Sequence, residues 1–247
     1  MWEDLLLFVA VGLAAQMIDG AIGMAYGVTS TSVLLSLGVP PATASAAVHA
    51  AETFTTGVSG LAHWHLRNID HGLLRRLAIP GMIGGAIGAC LLTAIPGETV
   101  RPFVNAYLLL LGFFILWRAL TRRPHGAPSP RQVVPLGLVG GGLDAMGGGG
   151  WGAIVTSTLV GQGTKPRYAI GTVNLSEFFV TATITATFLL TIGLALWPMI
   201  AGLVIGGIVA APFAAYVTRH LPDRALMALV GLVVVVLSVR GLLRLLP

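Results

Sequence analysis

The sequence predicts an all-α integral membrane protein with an inverted-topology repeat, in which each half is a glycine-broken re-entrant helical hairpin followed by three transmembrane helices. The composition, an internal repeat and two glycine-rich breaks lead to this prediction. Of the 247 residues, 55% are hydrophobic and 9% are charged, and the mean hydropathy is +0.89. Soluble domains carry about 25% charged residues. We therefore expect a lipid bilayer as the surrounding medium.

The internal repeat relates the two halves at an offset of 125 residues, without gaps, over 12–56 and 137–181. Fifteen of these 45 positions are identical, and they include polar residues that hydrophobicity alone would not align. Two pairs of acids match: Asp19 with Asp144, and Glu52 with Glu177. We predict a first repeat over 1–120, a cytoplasmic linker over 121–131 and a second repeat over 132–247.

Long apolar segments predict three spans in each half, each long enough to cross a hydrocarbon core of about 30 Å. The expected spans cover about 44–62, 73–95 and 102–120 in the first half, and about 168–191, 194–217 and 225–246 in the second. Each half begins with a longer segment, 5–35 or 132–160, which is too long for one span and too short for two. We predict that these two segments are hairpins that return to the face they enter from.

The distribution of Lys and Arg predicts that the two units are inverted, because short cytoplasmic loops hold an excess of positive charge. If both hairpins return to the face they enter from, eleven of the fourteen Lys and Arg residues lie on one side of the membrane. The loop 67–76 is basic, whereas its counterpart 191–197 carries no charge, so equivalent loops face opposite sides. Residues 118–131 are then cytoplasmic and both termini are outside. The alternative is a parallel repeat, for which the difference in charge between these two loops would need another cause.

Glycines interrupt both hairpins, most clearly in the run from 147 to 150. A glycine inside a helix costs about 1 kcal/mol relative to alanine, so this run predicts a sharp turn between two half-helices. Irregular backbone at membrane depth is tolerated where it is buried or lines a cavity. A half-helix that begins there directs free N–H groups and a positive dipole end at the cavity, which suits an anion. Alternatively, the glycines only permit close helix packing, the role we expect for Gly81, Gly84, Gly85 and Gly88.

Polar side chains recur at helical spacing in the first span of each half, and one such stripe in each half predicts the lining of a pathway. Ionisable groups inside a membrane indicate function. Two interpretations of the acids stay open: they cap and support the hairpins, or they carry protons during transport. The residues assigned to proton coupling or hairpin support are Asp19, Glu52, Asp144 and Glu177, and those assigned to the pathway are Ser45, Thr56 and Thr181.

The candidate substrate-binding residues lie at the two breaks and in the two polar stripes. They are Gly23, Tyr26, Gly27, Thr29, His49, Gly147, Gly148, Gly149, Gly150, Trp151 and Asn174. We predict no catalytic residue, no metal site and no cofactor. The expected partners are a small anionic substrate and the lipid bilayer, and a homo-oligomer is compatible with the sequence. Nucleic acid is not expected, because the basic residues are scattered through short loops.

Three stretches resemble the TauE/SafE family of sulfite and organosulfur anion exporters: the segment from Ile18 to Thr29, the run HAAETFTTG from His49 to Gly57, and its partner NLSEFF from Asn174 to Phe179. The resemblance covers nearly the whole chain. It implies a multi-pass protein of the bacterial inner (plasma) membrane. It also implies export of sulfite, a sulfonate such as sulfoacetate, or a related oxyanion, with alternating access between the two repeats as the expected mechanism.

Two other functions stay open at this point. Four buried acids without a buried cation are compatible with a proton-coupled carrier or channel for a cation or another small solute, with Glu52 and Glu177 as its central groups. A membrane-embedded sulfur-relay protein or enzyme would depend on Cys90, the single thiol. We predict that the protein is not an enzyme, since the sequence contains no nucleophile elbow, metalloprotease helix or nucleotide fingerprint.

Overall fold

The computed structural model describes residues 4–22, 24–121, 130–162, 164–193, 197–218 and 223–245. Within these residues the chain forms ten α-helices and one π-helical turn, Gly152–Thr156. The helices of the first half are α1 (Leu5–Ile22), α2 (Tyr26–Ser36), α3 (Pro41–His65), α4 (His71–Ala94) and α5 (Gly97–Leu120). Those of the second half are α6 (Pro130–Gly147), α7 (Ser157–Gly161), α8 (Pro166–Ile192), α9 (Trp197–Thr218) and α10 (Asp223–Leu243).

Three of the described helices are long and apolar enough to cross a bilayer: α4, α5 and the Arg167–Ile192 part of α8. Shorter apolar stretches lie in α1, α9 and α10. Helix α3 has 25 residues but carries the polar stripe on its buried face. Large apolar side chains point outward around the bundle, with Val58, Leu110 and Leu190 exposed by 70% or more. Such an apolar exterior is expected of a membrane protein, whose surroundings are lipid.

Helices α3 and α8 pack antiparallel, as do α5 and α10. Thr53 Oγ1 lies 3.3 Å from Thr185 Oγ1, and beyond the end of α3 the Asp70 N–H donates to Thr172 Oγ1 at 2.9 Å. Moving forward along α3 therefore means moving backward along α8.

The same reversal relates α5 and α10. A Cβ on Gly241 would meet the Asn105 side chain, and one on Gly231 would meet Leu116.

By contrast, α1 packs parallel to α9, and α6 packs parallel to α4. Gly202 faces Leu5, and Gly206, one turn later, faces Leu13. The contacts of α4 with α6 are equally close. The predicted packing role of the α4 glycines is confirmed, since a Cβ on any of them would meet a neighbouring helix: Trp151 for Gly81, Leu138 for Gly84, Ile184 for Gly85 and Gly142 for Gly88.

These contacts define two ends of the bundle. At the Pro41 end, Gly97 lies beside Pro41, the Arg101 guanidinium donates to the Gly38 carbonyl at 3.0 Å, and Arg244 donates to the Ser36 carbonyl at 3.0 Å. The Asp70 end holds the contact of Asp70 with Thr172 and, between α6 and α7, the hydrogen bond of Gln162 with Gln132 at 3.1 Å. The second arm of each broken segment ends at a different end of the bundle.

Candidate functional site

The two helix breaks share one hydrogen-bonding pattern, in which an aspartate caps the half-helix that follows it. Asp19 Oδ1 accepts from the backbone N–H groups of Ala25 at 2.7 Å and Tyr26 at 3.1 Å. Asp144 Oδ1 accepts from the backbone N–H of Trp151 at 2.8 Å. Tyr26 and Trp151 are themselves related by the offset of 125 residues. The capping interpretation of both aspartates therefore has direct geometric support.

The second break is built on glycine backbone conformations. Gly148, Gly149 and Gly150 have φ angles of +68°, +146° and +135°, which side chains rarely allow. The Gly149 N–H donates to the Asp144 carbonyl at 3.0 Å, so the chain turns back over the end of α6. Helix α6 ends at Gly147, and the next helical turn begins at Gly152. In the first break, Gly23 lies outside the described residues.

The two breaks meet in direct contact, which we call the tip junction: Gly27 and Thr31 from the first segment, Gly148 and Gly149 from the second. A Cβ on Gly27 would lie 2.7 Å from the Gly149 Cα. The Thr31 hydroxyl donates a hydrogen bond to the Gly148 carbonyl. Backbone fills the space between Gly27 and Gly149 in this conformation, so an anion would bind beside the junction rather than between these two residues.

A histidine from α3 joins the second tip. His49 Nε2 lies 3.1 Å from Asp144 Oδ2, while His49 Nδ1 lies 2.8 Å from the Ser45 carbonyl oxygen. The Ser45 hydroxyl donates to the Ala145 carbonyl at 2.6 Å. His49 and Asp144 are only 0% and 1% exposed. Asp144 therefore binds α3 with one oxygen and caps the second half-helix with the other.

Glu52 performs a related role at the first tip. Its Oε1 lies beside Gly27, where an added Cβ would be 2.8 Å from it, while Oε2 has no protein partner among the described residues. The Thr56 hydroxyl donates to the Glu52 carbonyl at 2.6 Å. The predicted stripe of α3 is thus one buried face, and it includes Ser45, His49, Glu52 and Thr56.

The polar stripe of α8 differs from that of α3. Asn174 Nδ2 donates to the Ile170 carbonyl at 3.0 Å, and the Thr181 hydroxyl donates to the Phe178 carbonyl at 3.2 Å. Both bonds stay within α8. Thr181 is fully buried, whereas Asn174 and Glu177 are half-buried. Although α3 and α8 match in sequence, their polar stripes therefore make different hydrogen bonds.

Tyr107 of α5 also supports the second tip, and sequence reasoning missed it. Its hydroxyl donates to the Gly149 carbonyl at 3.2 Å, and its ring packs on Gly147 and Gly150. In the sequence, the one indication of this role is that Tyr107 is a tyrosine within the apolar span of α5. Thr31 was missed as a site residue too, although it repeats as Thr156.

We expect Tyr107→Phe to destabilise the second tip modestly, because the Gly149 carbonyl loses its donor while the ring remains. The free energy of unfolding should fall by about 1 kcal/mol. Thermal unfolding in lipid nanodiscs measures this. Tyr168→Phe is the matched control, since that hydroxyl contacts only the exposed Arg167 in the described part of the chain. Equal effects of the two substitutions would contradict the assigned role of Tyr107.

Several buried donors near the breaks have no protein partner. Unpaired buried polar groups are rare, and they indicate a water, an ion or a ligand. In the part of the chain that the structure describes, these donors are the hydroxyls of Thr29, Ser30 and Ser32 on α2 and the indole N–H of Trp151. Hydroxyl and indole N–H groups donate hydrogen bonds, and the oxygen atoms of an oxyanion can accept them.

The other chemistry considered from the sequence has less support. Cys90 is exposed on α4, whereas His49 and Glu52 are buried on α3. Among the described residues, no three His, Cys, Asp or Glu side chains are grouped to hold a metal ion.

Comparisons with known proteins identify the family of the chain. A family model described as "Sulfite exporter TauE/SafE" matches residues 8–241. A relative from Bacillus subtilis (strain 168), named "Probable membrane transporter protein YtnM", is 41% identical over 98% of this chain and 83% of its own length. No solved structure matches the chain. The match spans both halves and both breaks, and the chain therefore belongs to the TauE/SafE family of membrane transporters.

Proposed function

We propose that this transporter exports a small oxyanion, namely sulfite or a sulfonate such as sulfoacetate, by alternating access between two inverted repeats. The observation that carries the proposal is the set of buried, unpaired donors on α2 and at Trp151, which belong to the two segments that meet at the tip junction. Hydroxyl and indole N–H groups bind sulfonate-type oxygens without requiring a buried cation. The description of the matching family model, which names sulfite export, supports the same substrate class.

We infer the inverted arrangement from the directions of the helices. Helices α3 and α5 run antiparallel to their counterparts α8 and α10. Helix α1 packs parallel to α9, and α6 packs parallel to α4. Each hairpin therefore packs against a helix of the other repeat. A twofold axis in the membrane plane accounts for all four pairings, and such an axis places the substrate site where the repeats meet.

Charge supports the orientation proposed for this bundle, with the Asp70 end in the cytoplasm and both termini outside. Most basic residues with described positions lie at the Asp70 end: Arg67, Arg75, Arg76, Arg118, Lys165, Arg167 and Arg224. This follows the positive-inside rule. At the Pro41 end, Arg101 and Arg244 bind carbonyl groups at the C-terminal end of α2, so their presence outside has a structural cause.

The acids near the tip junction do not prevent anion binding in this scheme. Asp19 accepts two backbone N–H groups, and Asp144 accepts one N–H and contacts His49. These hydrogen bonds offset part of the cost of burying each aspartate. We propose that the substrate binds to the unpaired donors on α2 and Trp151, and that separation of the tips opens the site to one side at a time.

Reconstituted proteoliposomes test this proposal. We expect saturable flux of radiolabelled sulfite at neutral pH, where the solute is present as bisulfite and sulfite anions. Trp151→Phe should raise the KM for sulfite about tenfold or more, because a smaller aromatic ring replaces the indole and a hydrogen bond to a charged ligand, about 1.5–3 kcal/mol, is lost. Trp197→Phe is the matched control, since Trp197 is 56% exposed and should leave the KM unchanged.

A cation carrier is the second candidate, and one observation favours it. The oxygens Gln16 Oε1 and Glu52 Oε2 are buried acceptors without protein partners in the described ranges. Carbonyl and carboxylate oxygens bind hard cations. Flux of Na⁺ or K⁺ without flux of sulfite or sulfonate would replace the anion proposal with this one.

A further inference from the structure

His49 is placed so that both ring nitrogens face oxygen atoms. Nδ1 lies 2.8 Å from the Ser45 carbonyl, which can only accept, so Nδ1 carries a hydrogen. The Ser45 hydroxyl is also 3.2 Å from Nδ1, but its single hydrogen is directed at the Ala145 carbonyl, 2.6 Å away. The hydroxyl is therefore not a donor to Nδ1, and the tautomer of His49 is defined.

The second contact of His49 requires one more proton. Nε2 and Asp144 Oδ2 are 3.1 Å apart. With Nδ1 already protonated, Nε2 of a neutral ring is an acceptor, and an ionised Asp144 is also an acceptor. The contact is attractive only if the ring is an imidazolium or Asp144 is a carboxylic acid. Either form holds one exchangeable proton and is neutral overall, and loss of that proton to water leaves a net charge of −1 on the pair.

This proton site is present in one repeat only. The counterpart of His49 is Asn174, whose amide is not titratable and bonds within α8. The counterpart of Asp144 is Asp19, which accepts from the N–H groups of Ala25 and Tyr26. Among the described residues, the break of the second half alone has an aspartate in contact with a histidine.

We propose that the His49–Asp144 pair binds one proton that travels together with the transported anion. This rests on the proposed function and specifies its coupling. An anion bound beside an unprotonated pair would put two negative charges together in a medium of low dielectric constant. Anion binding and protonation of the pair therefore favour each other, and this coupling is reciprocal. Transport of a monovalent anion then moves no net charge.

Among the described residues, the titratable groups that interact with Asp144 supply no positive charge that could replace the proton of the pair. They are acidic or phenolic and come from three helices: Glu52 on α3, Tyr107 on α5 and Glu177 on α8. Asp144 also caps the second half-helix through Trp151, so the proton acts on the group that holds the tip in place.

Binding of isethionate in nanodiscs is the test, because this sulfonate does not take up protons in the working pH range. In the wild type, at an alkaline pH where the anion-free pair has released its proton, each bound anion should bring one proton, measured from the dependence of the binding heat on the buffer. In that pH range the dissociation constant of isethionate should rise by up to tenfold per pH unit. Binding without proton uptake at every pH, with a dissociation constant that does not depend on pH, would overturn the proposal.

Asp144→Asn is the sharpest variant, because it keeps the geometry and removes the exchange. The amide oxygen still accepts from the Trp151 N–H, and the amide nitrogen donates to His49 Nε2. We expect proton uptake to vanish and the dissociation constant to become insensitive to pH. Asp70→Asn, at an exposed helix cap, is the matched control and should keep the wild-type pH dependence. Proton uptake that persists in Asp144→Asn would overturn the assignment.

Flux separates this proposal from the proposed function. If isethionate crosses the membrane in response to an imposed membrane potential but not to a pH gradient, the anion transporter stands and the proton pair is refuted. Response to the pH gradient alone supports both. If no sulfite or sulfonate binds or moves, the proposed function fails. In that case ¹⁵N NMR of the His49 ring still decides the proton site, because an unprotonated Nδ1 would refute it.

Discussion

Gly149→Ala should abolish transport and strongly destabilise the protein. The new Cβ would meet the backbone of Gly27 and Val28, and the φ of +146° disfavours any side chain. Overpacking costs about 1–3 kcal/mol, and a backbone conformation of this kind adds about 1–3 kcal/mol. We expect a loss of about 4 kcal/mol in the free energy of unfolding, measured by thermal unfolding in nanodiscs, together with loss of sulfite flux.

Gly38→Ala is the matched control for this substitution. Gly38 also has a positive φ, +93°, but nothing lies within 4 Å of the position its Cβ would take. Only the conformational cost applies, about 1–3 kcal/mol, and flux should persist. If Gly149→Ala behaved like Gly38→Ala, the contact between the two tips would not be required for the fold or for transport.

Asp144→Ala should cause the second large loss, because two buried groups lose their partner together. The Trp151 N–H would have no acceptor, and His49 Nε2 would face an apolar methyl group. Breaking a buried ion pair by removing one partner costs about 3–5 kcal/mol. The same thermal unfolding measurement in nanodiscs checks this value.

Two controls isolate the cause. Asp144→Asn keeps both hydrogen bonds and should lose less than about 1 kcal/mol. Asp70→Ala removes an exposed cap, in which Asp70 Oδ1 accepts from Gly72 and Leu73, and should lose about 1 kcal/mol. Stability of Asp144→Ala equal to that of Asp70→Ala would mean that burial and His49 contribute nothing.

The helical architecture was predictable because the signals are local. An apolar run, a cluster of glycines and an aspartate ahead of a half-helix each act within a few residues, and the structure places a helix break at both predicted positions. The caps of Asp19 and Asp144 follow from the same local rule, since a side-chain oxygen reaches the first N–H groups of the next helix.

The site was only partly predictable, because its decisive contacts join distant segments. Nothing in the stripe of α3 indicates that His49 meets Asp144, which is 95 residues away and requires α3 to pack on α6. The repeat even suggested equivalence of the two stripes, whereas Asn174 bonds to its own helix. The half-buried amide of Asn174 can donate to a carbonyl of its own helix, whereas the fully buried imidazole of His49 needs a partner from another segment.

Direct observation of a bound anion tests the central claim. Selenite is a close analogue of sulfite, and its selenium gives an anomalous signal in crystals of the protein. We predict one selenium peak near the tip junction, within hydrogen-bond distance of Trp151 Nε1 or of the hydroxyls of Thr29, Ser30 or Ser32. A peak confined to the ends of the bundle, with these donors unoccupied at saturating selenite, would contradict the claim.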